Sequence, residues 1–207
     1  MTFVKICGIT NLPDALAAVS EGADGLGFNF YRNSSRYIEP LEARRIIEQL
    51  PSNVLTVGVF VNEETPERVK AVASEAGVSA LQLHGDESAV YCSALRDSYV
   101  IKAFAVGEAF DIRTIQEYSV DAVLLDASHQ KLRGGTGQVI DWAVARRVGE
   151  LGVKMFLAGG LTPENVREAI ETVNPYAVDA CSGLERAPGM KDHNRLQSFF
   201  KEVRSCC

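Results

Sequence analysis

Eight short apolar segments recur along the 207-residue chain, and most of them are followed by a stretch whose apolar residues have helical spacing. The segments cover residues 3–7, 25–30, 55–61, 80–83, 100–104, 122–126, 154–158 and 177–181. Most are continuously apolar, as is typical of parallel strands that are covered on both faces. The alternation predicts an α/β fold, either a closed (β/α)8 TIM barrel of eight parallel strands with outer helices or an open doubly wound sheet.

The count of eight strands, none with the charged pattern of a sheet edge, favours the closed barrel. No shift in composition and no linker divides the chain, so we expect residues 1–207 to form a single (β/α)8-barrel catalytic domain. Asn11 is the expected N-cap of the first helix, and the pairs Thr65-Pro66 and Thr162-Pro163 predict the starts of the third and seventh helices. The fourth to sixth helices are less well defined by the pattern.

Composition excludes several classes of protein. Hydrophobic residues make up 46% of the chain and the net charge is −6, without the basic stripe of a nucleic-acid binder. No apolar stretch approaches the roughly 20 residues that span a bilayer, and no signal peptide is evident, so we expect a cytoplasmic protein without membrane contact. The five cysteines form no CxxC pair and accompany no histidine cluster, so neither a metal site nor a disulfide framework is expected.

In a TIM barrel, functional residues lie at the carboxyl ends of the strands. Asp126 ends the sixth apolar segment, and a carboxylate there is costly to desolvate without a purpose, which favours a functional role. Cys7 ends the first segment and is either a reactive thiolate or a small buried apolar residue. His84, after the fourth segment, is equally consistent with an acid, a base or a hydrogen-bonded structural residue.

Glycine-containing loops follow the last two strands, where such barrels build a phosphate site from backbone N–H groups. Gly159 and Gly160 lie after the seventh segment, and Ser182 and Gly183 lie after the eighth. We therefore expect a phosphorylated small molecule as the ligand. The glycine-rich residues 133–137 bring backbone close to a ligand or form a plain turn.

Two charged residues near the strand ends are less certain from position alone. Arg36, in the second βα loop, is able to fork onto a substrate carboxylate, although a solvated loop arginine is the simpler interpretation. Asp179 lies within the last strand, so that inside a barrel it requires a partner or contacts the substrate.

Taken together, the motifs resemble the phosphoribosylanthranilate isomerase family and span nearly the whole chain in that family's order. The opening Lys-Ile-Cys-Gly-Ile-Thr is the most specific of them. The matching pieces are residues 5–10, 34–37, 58–61, 81–85, 124–126, 134–137, 157–161 and 188–192. One departure is Cys181, because the family usually has serine there; we therefore do not assign Cys181 to the phosphate.

The resemblance implies a cofactor-free Amadori rearrangement of N-(5-phosphoribosyl)anthranilate, an aminoaldose, to an aminoketose in tryptophan biosynthesis. Asp126 would be the general acid that opens the sugar ring, and Cys7 the general base that removes the C2′ proton. Arg36 would bind the anthranilate carboxylate, and the backbone near Gly160 and the loop 182–183 would hold the phosphate. His84 and Asp179 would line the site.

Other readings of the same pattern are another phosphate-binding barrel isomerase or lyase, and a non-catalytic phosphate-ligand or redox sensor. A lyase that forms a Schiff base needs a lysine at a strand end, and neither Lys5 nor Lys102 ends its strand. A redox role for Cys7 requires a second, resolving cysteine nearby, of which the sequence gives no sign. The sequence does not settle assembly, and a monomer is expected because no exposed apolar patch is evident.

Overall fold

The computed structural model of the protein describes residues 2–127 and 141–206. Eight strands form one closed barrel in the order β1 to β8, and every neighbouring pair is parallel. The strands are β1 (Phe3–Ile6), β2 (Gly25–Asn29), β3 (Leu55–Phe60), β4 (Ala80–Leu83), β5 (Tyr99–Val106), β6 (Ala122–Ala127), β7 (Met155–Leu157) and β8 (Ala177–Ala180). The predicted TIM barrel is confirmed, and the open sheet was wrong.

Helices surround the barrel. They are α1 (Leu12–Glu21), α2 (Pro40–Ile47), α3 (Pro66–Ala76), α4 (Ala89–Ser93), α5 (Trp142–Gly149), α6 (Val166–Val173) and α7 (His193–Arg204). The connection from β5 to β6 carries a short 3-10 helix, Ile112–Glu117, in place of an α-helix. After β8 the chain forms a two-stranded hairpin, β9 (Glu185–Ala187) with β10 (Met190–Lys191), before it enters α7.

Side-chain caps explain where the best-predicted helices begin. The Asn11 side chain accepts from the backbone N–H of Asp14, and Thr65 caps α3 in the same way. The start predicted at Thr162-Pro163 was three residues too early, since α6 begins at Val166. Thr162 and Asn165 first close a turn in which the Thr162 N–H donates to Asn165 Oδ1 at 2.8 Å.

Several predicted strands are one residue too long at their carboxyl ends. Cys7 and Cys181 leave the barrel ladder directly after β1 and β8. Gly8 then takes a φ of +75°, a left-handed conformation in which glycine is favoured, and this turns the chain out of β1. In contrast, Asp126 remains within β6 and pairs in register with Ala105 of β5.

Apolar side chains fill both the space between barrel and helices and the barrel interior. The interior cluster includes Val57, Ile101, Leu124 and Phe156, all essentially inaccessible to solvent. Polar side chains lie beyond this cluster, at the carboxyl ends of the strands. None of the helices within residues 2–127 and 141–206 is long and apolar enough to span a membrane.

Candidate active site

A single cavity at the carboxyl ends of the strands brings the predicted site residues together. It is lined by all nine of them, namely Cys7, Arg36, His84, Asp126, Gly159, Gly160, Asp179, Ser182 and Gly183. Loops separated by up to 176 positions in the sequence meet here because the barrel gathers every strand end at one rim. The glycine-rich residues 133–137 lie outside the described part of the chain.

Two thiols meet at the junction of β1 and β8. The neighbouring Cys181 thiol lowers the pKa of Cys7 well below its ordinary value by hydrogen bonding to it, against the opposing effect of burial. The Cys181 sulfur also lies 3.8 Å from Glu185 Oε1, to which its thiol donates. The ammonium groups of Lys5 and Lys191 add to the decrease. The pKa of Cys181 is raised in turn, because its proton is held in the same hydrogen bond and because it is buried. Cys7 is therefore the thiolate of the pair.

Asp126 and His84 form a second polar pair in the cavity. His84 Nε2 lies 3.3 Å from Asp126 Oδ2, and both side chains are partly exposed to the cavity. Gln82, one pleat below on β4, places its Nε2 atom 2.7 Å from His84 Nδ1, which orients the imidazole ring. Gln82 itself is buried, and its Oε1 has no hydrogen-bond partner within the described residues.

Below the thiols, Lys5 and Asp179 form an ion pair inside the barrel. Lys5 Nζ lies 2.8 Å from Asp179 Oδ1, and the lysine side chain is completely buried. Burial raises the pKa of Asp179 to about 7, although the positive charge of Lys5 opposes this change. Asp179 thus has the partner that a carboxylate inside a barrel requires, and it still lines the floor of the cavity.

A second buried ion network closes the side of the cavity next to Cys181. Glu185 accepts a forked pair of hydrogen bonds from Arg36, with Nη2 to Oε2 at 2.7 Å and Nε to Oε1 at 3.0 Å. Lys191 Nζ binds Glu185 Oε1 at 3.0 Å and the backbone carbonyl of Cys7 at 2.6 Å. Burial acts to raise the pKa of Glu185, but the two cations outweigh it and hold that pKa below its usual range.

Arg36 is thus neither a solvated arginine nor a free cation. Two of its three guanidinium nitrogens bind Glu185, while Nη1 makes only a long 3.4 Å contact with Ser35 Oγ among the described residues. Because guanidinium has five N–H donors, the Glu185 pair leaves some of them for a ligand. Glu185 therefore fixes the orientation of Arg36 at the rim.

The loops after β7 and β8 approach each other closely at glycines. Gly159 and Gly160 have φ values of +83° and +69°, which expose consecutive backbone groups to the cavity. A Cβ on Gly183 would overlap the Leu161 carbonyl oxygen, so no larger residue fits between the loops. A 3-10 helix, Ser182–Leu184, begins here and points its first N–H groups out of the helix end.

Sequence reasoning left four residues of this site unassigned: Gln82, Cys181, Glu185 and Lys191. Gln82 and Lys191 lie within the matching pieces, whereas Cys181 and Glu185 lie in the segment after β8. Each of the four acts on a predicted site residue. Charge offered the one usable signal, since Glu185 and Lys191 flank the hairpin turn and are of opposite sign. Their partners are set by the tertiary fold.

The described residues of the site do not offer the groups that a Schiff-base lyase or a metal-dependent enzyme requires. Lys5 and Lys102, the candidate Schiff-base lysines, are both buried in ion pairs, Lys102 with Glu87 at 2.9 Å. Within residues 2–127 and 141–206, no group of three or more His, Cys, Asp or Glu side chains is arranged to hold a metal ion.

Comparison with known proteins identifies one family over almost the whole chain. Residues 4–202 match the family described as N-(5'phosphoribosyl)anthranilate (PRA) isomerase. The N-(5'-phosphoribosyl)anthranilate isomerase of Trichlorobacter lovleyi is 48% identical over 204 residues, which cover 99% of this chain and 98% of that protein.

Solved structures agree in fold and length. The phosphoribosyl anthranilate isomerase from Thermus thermophilus superposes with a TM-score of 0.92 at 39% identity and full coverage of both chains. A phosphoribosyl anthranilate isomerase in complex with reduced 1-(o-carboxyphenylamino)-1-deoxyribulose 5-phosphate gives 0.85 at 43% identity, with 99% and 100% coverage. A third, described as monomers generated from the dimeric enzyme of Thermotoga maritima, gives 0.85 at 42% identity, again with 99% and 100% coverage.

The geometry and the comparisons therefore agree, and the chain belongs to the N-(5'-phosphoribosyl)anthranilate isomerase family, the isomerases of tryptophan biosynthesis.

Proposed function

We propose that this isomerase rearranges N-(5-phosphoribosyl)anthranilate by general acid–base catalysis, with Asp126 as the acid and Cys7 as the base. The observation that carries this assignment is the pairing of a carboxyl group on β6 with a thiolate after β1 in one cavity. The two roles require groups on opposite sides of the substrate, and strands one and six of a barrel supply them. Each proton transfer contributes roughly 10²–10⁴-fold to the rate.

The reaction begins at Asp126. Its carboxyl group delivers a proton to the ring oxygen of the ribose, the C1′–oxygen bond breaks, and a protonated Schiff base forms. His84 Nε2, 3.3 Å away, is close enough to share a proton with the carboxyl group. Gln82 holds the other ring nitrogen of His84, which keeps the imidazole ring in place while the proton moves.

Cys7 performs the second proton transfer. The thiolate removes the proton from C2′ of the Schiff base, which gives an enolamine, and the enolamine relaxes to the aminoketose. The lowered pKa of Cys7 suits this step, because hydrogen bonding from Cys181 and the nearby ammonium groups favour the thiolate, the form that accepts the proton.

The remaining residues hold the two ends of the substrate. Gly160, Ser182 and Gly183 line the cavity, and their backbone N–H groups suit a phosphate, an anion that helix starts and glycine loops bind well. Arg36, oriented by Glu185, suits the anthranilate carboxylate. A phosphorylated ligand is supported by the related enzyme whose structure holds reduced 1-(o-carboxyphenylamino)-1-deoxyribulose 5-phosphate.

We further propose that the enzyme is a single-domain, cofactor-free protein of the cytoplasm. The barrel strands run from Phe3 to Ala180 and α7 packs on α1, which supports residues 1–207 as one domain. The thiols of Cys7, Cys92 and Cys181, which form no disulfide, suit the reducing cytoplasm. No cofactor is needed for these proton transfers. A monomer stays a prediction, and the Thermotoga maritima relative, which is described as dimeric, makes the alternative worth measuring by sedimentation.

The test is the fluorescence decay of enzymatically generated N-(5-phosphoribosyl)anthranilate with wild type, Cys7→Ala and Asp126→Asn. We expect each variant to lose roughly 10²–10⁴-fold in kcat while it still binds a product analogue. Cys206→Ser, a thiol at the end of α7 and outside the cavity, is the control and should remain fully active. An inactive wild type would overturn the function, and an active Cys7→Ala would place the base elsewhere.

A further inference from the structure

The register of β1 against β8 places Cys7 beside Cys181. Lys5 pairs with Asp179 and Ile6 pairs with Ala180, and the Cys7 N–H then donates to the Ala180 carbonyl at 2.9 Å. Cys7 and Cys181 follow directly after these two strands, and both line the same cavity as Asp179. The cysteines therefore stand one pleat above an ion pair whose side chains already touch at 2.8 Å.

Neighbouring positions on adjacent strands have the Cα spacing that a disulfide requires. Neighbouring strands lie about 4.8 Å apart, and disulfide-bonded cysteines have Cα atoms roughly 4.4–6.8 Å apart. The two thiols are close enough to shift each other's pKa in opposite directions, with that of Cys7 lowered and that of Cys181 raised. A Cβ on Gly8 would lie 2.9 Å from Cys181 Sγ, and one on Gly27 would lie 2.7 Å from Cys7 Sγ, so the glycines leave just enough space for both sulfur atoms.

Both cysteines line the cavity, which gives a small oxidant a route to them. The two thiols also differ in the way that such a reaction requires. The lowered pKa of Cys7 favours the thiolate, the form that reacts with peroxides. The raised pKa of Cys181 favours the protonated thiol, which supplies the proton that the displaced hydroxyl takes up. Lys191, which binds the carbonyls of both cysteines, holds their backbones together.

We propose that Cys7 and Cys181 form a reversible disulfide when the enzyme meets a peroxide, and that this bond switches the isomerase off. This inference rests on the proposed role of Cys7 as the general base, since a disulfide sulfur no longer removes a proton. It also gives Cys7 the resolving partner that the sequence did not reveal.

The chemistry balances in two steps. The Cys7 thiolate attacks one peroxide oxygen, the S–O bond forms, the O–O bond breaks and hydroxide leaves, so that sulfur is oxidised to a sulfenic acid and the peroxide is reduced. The Cys181 sulfur then attacks the Cys7 sulfur, the S–S bond forms and the S–O bond breaks. The displaced hydroxyl leaves as water with the thiol proton, and a dithiol reverses the product by exchange.

The protective value of the second cysteine follows from the oxidation sequence. A sulfenic acid that finds no thiol proceeds to sulfinic acid, which dithiols do not reduce. With Cys181 in contact, the sulfenic acid is captured first.

The experiment treats the full-length protein with hydrogen peroxide and then measures disulfides and activity separately. Mass spectrometry of an unreduced digest should show a peptide pair joined through Cys7 and Cys181, lighter than the free peptides by two hydrogen atoms. Wild type and the control Cys206→Ser should lose nearly all activity and recover it in dithiothreitol. Cys181→Ser, compared with its own untreated activity, should lose activity without recovery.

The two readouts separate the possible failures. Oxidation of wild-type Cys7 to sulfinic acid with no joined peptide would overturn the disulfide, as would equally irreversible loss in wild type and Cys181→Ser. If the reduced wild type does not turn over the substrate, the proposed function fails, whereas the digest still decides whether the bond forms.

Discussion

At the scale of single residues, the chemistry of the site depends on contacts that change the pKa or the orientation of a side chain. Cys7 differs from an ordinary buried cysteine because it accepts a hydrogen bond from Cys181 and faces two ammonium groups. Arg36 differs from a surface arginine because Glu185 fixes its guanidinium plane. In both cases the residue type permits the role, and the neighbour determines it.

The acid limb of the pH profile tests the contact between the two thiols. If Cys7 acts as the thiolate, kcat/KM should increase with pH through its pKa, which the Cys181 hydrogen bond lowers. Cys181→Ala removes the donor, so the limb should move to higher pH, while Cys181→Ser retains an O–H donor and should move it less. A limb that stays in place in Cys181→Ala would show that the thiol hydrogen bond does not set the pKa of the base.

At the scale of elements, a missing side chain on a neighbouring strand leaves space for the site residues of β1. Gly27 on β2 lies beside β1, and a side chain at this point would occupy the space of Cys7 and Lys5. The hairpin β9–β10 acts from the opposite direction, because its Lys191 reaches the backbone of Cys7 and the carboxylate of Glu185. Strand β1 is therefore held from both sides.

Gly27→Ala should lower kcat by more than the accompanying decrease in the free energy of unfolding explains. The added Cβ would lie 2.7 Å from Cys7 Sγ and 3.2 Å from Lys5 Nζ, so the base must shift. Gly149→Ala, at the end of α5 with no atom within 4 Å of the added Cβ, is the matched control. It should keep full activity and, by helix propensity, gain up to about 1 kcal/mol of stability. Steady-state kinetics and urea unfolding of both variants measure this, and equal kcat values would contradict the packing argument.

At the scale of the whole molecule, the ion pair of Lys5 and Asp179 joins the first and last strands inside the closed barrel. Burying such a pair costs desolvation of both charges. Removing one partner therefore lowers the free energy of unfolding much more than replacing both partners with apolar residues. The apolar cluster beneath it carries the burial of the barrel interior. The pair thus links the two strands that close the barrel, at the floor of the cavity.

Unfolding of single and double variants separates these effects. Lys5→Met should destabilise the protein by about 3–5 kcal/mol because Asp179 then lacks its partner, and Lys5→Met/Asp179→Leu should recover most of that loss. The pKa of Asp179 is raised to about 7 in the folded protein from an ordinary 3.8. Its contribution to stability is therefore complete below about pH 4 and is lost as pH increases through 7.

The double variant should lack this component, so its unfolding free energy should decrease less than that of wild type between pH 4 and pH 7. Urea titrations across this range provide the measurement. A double variant as unstable as Lys5→Met, or one with the same slope as wild type, would show that the pair does not account for the pH dependence.

The sequence predicted the barrel from its pattern, and the nine residues that line the cavity from strand ends together with the family resemblance. Eight apolar segments with helical intervals leave few folds open, and in a TIM barrel the rim follows from where each strand ends. Local chemistry was also readable, as the caps at Asn11 and Thr65 demonstrate. The start of α6 was misjudged because Thr162 and Asn165 bind each other in a turn before the helix.

Only the tertiary structure decided which side chains meet. Cys7 and Cys181 are 174 positions apart, and nothing in the local pattern of either reports the register of β1 on β8. The same holds for Glu185 with Arg36 and for Lys191 with the Cys7 carbonyl. Hydrogen bonds and pKa shifts depend on distances of a few ångströms, which closure of the barrel sets and which spacing along the chain does not encode.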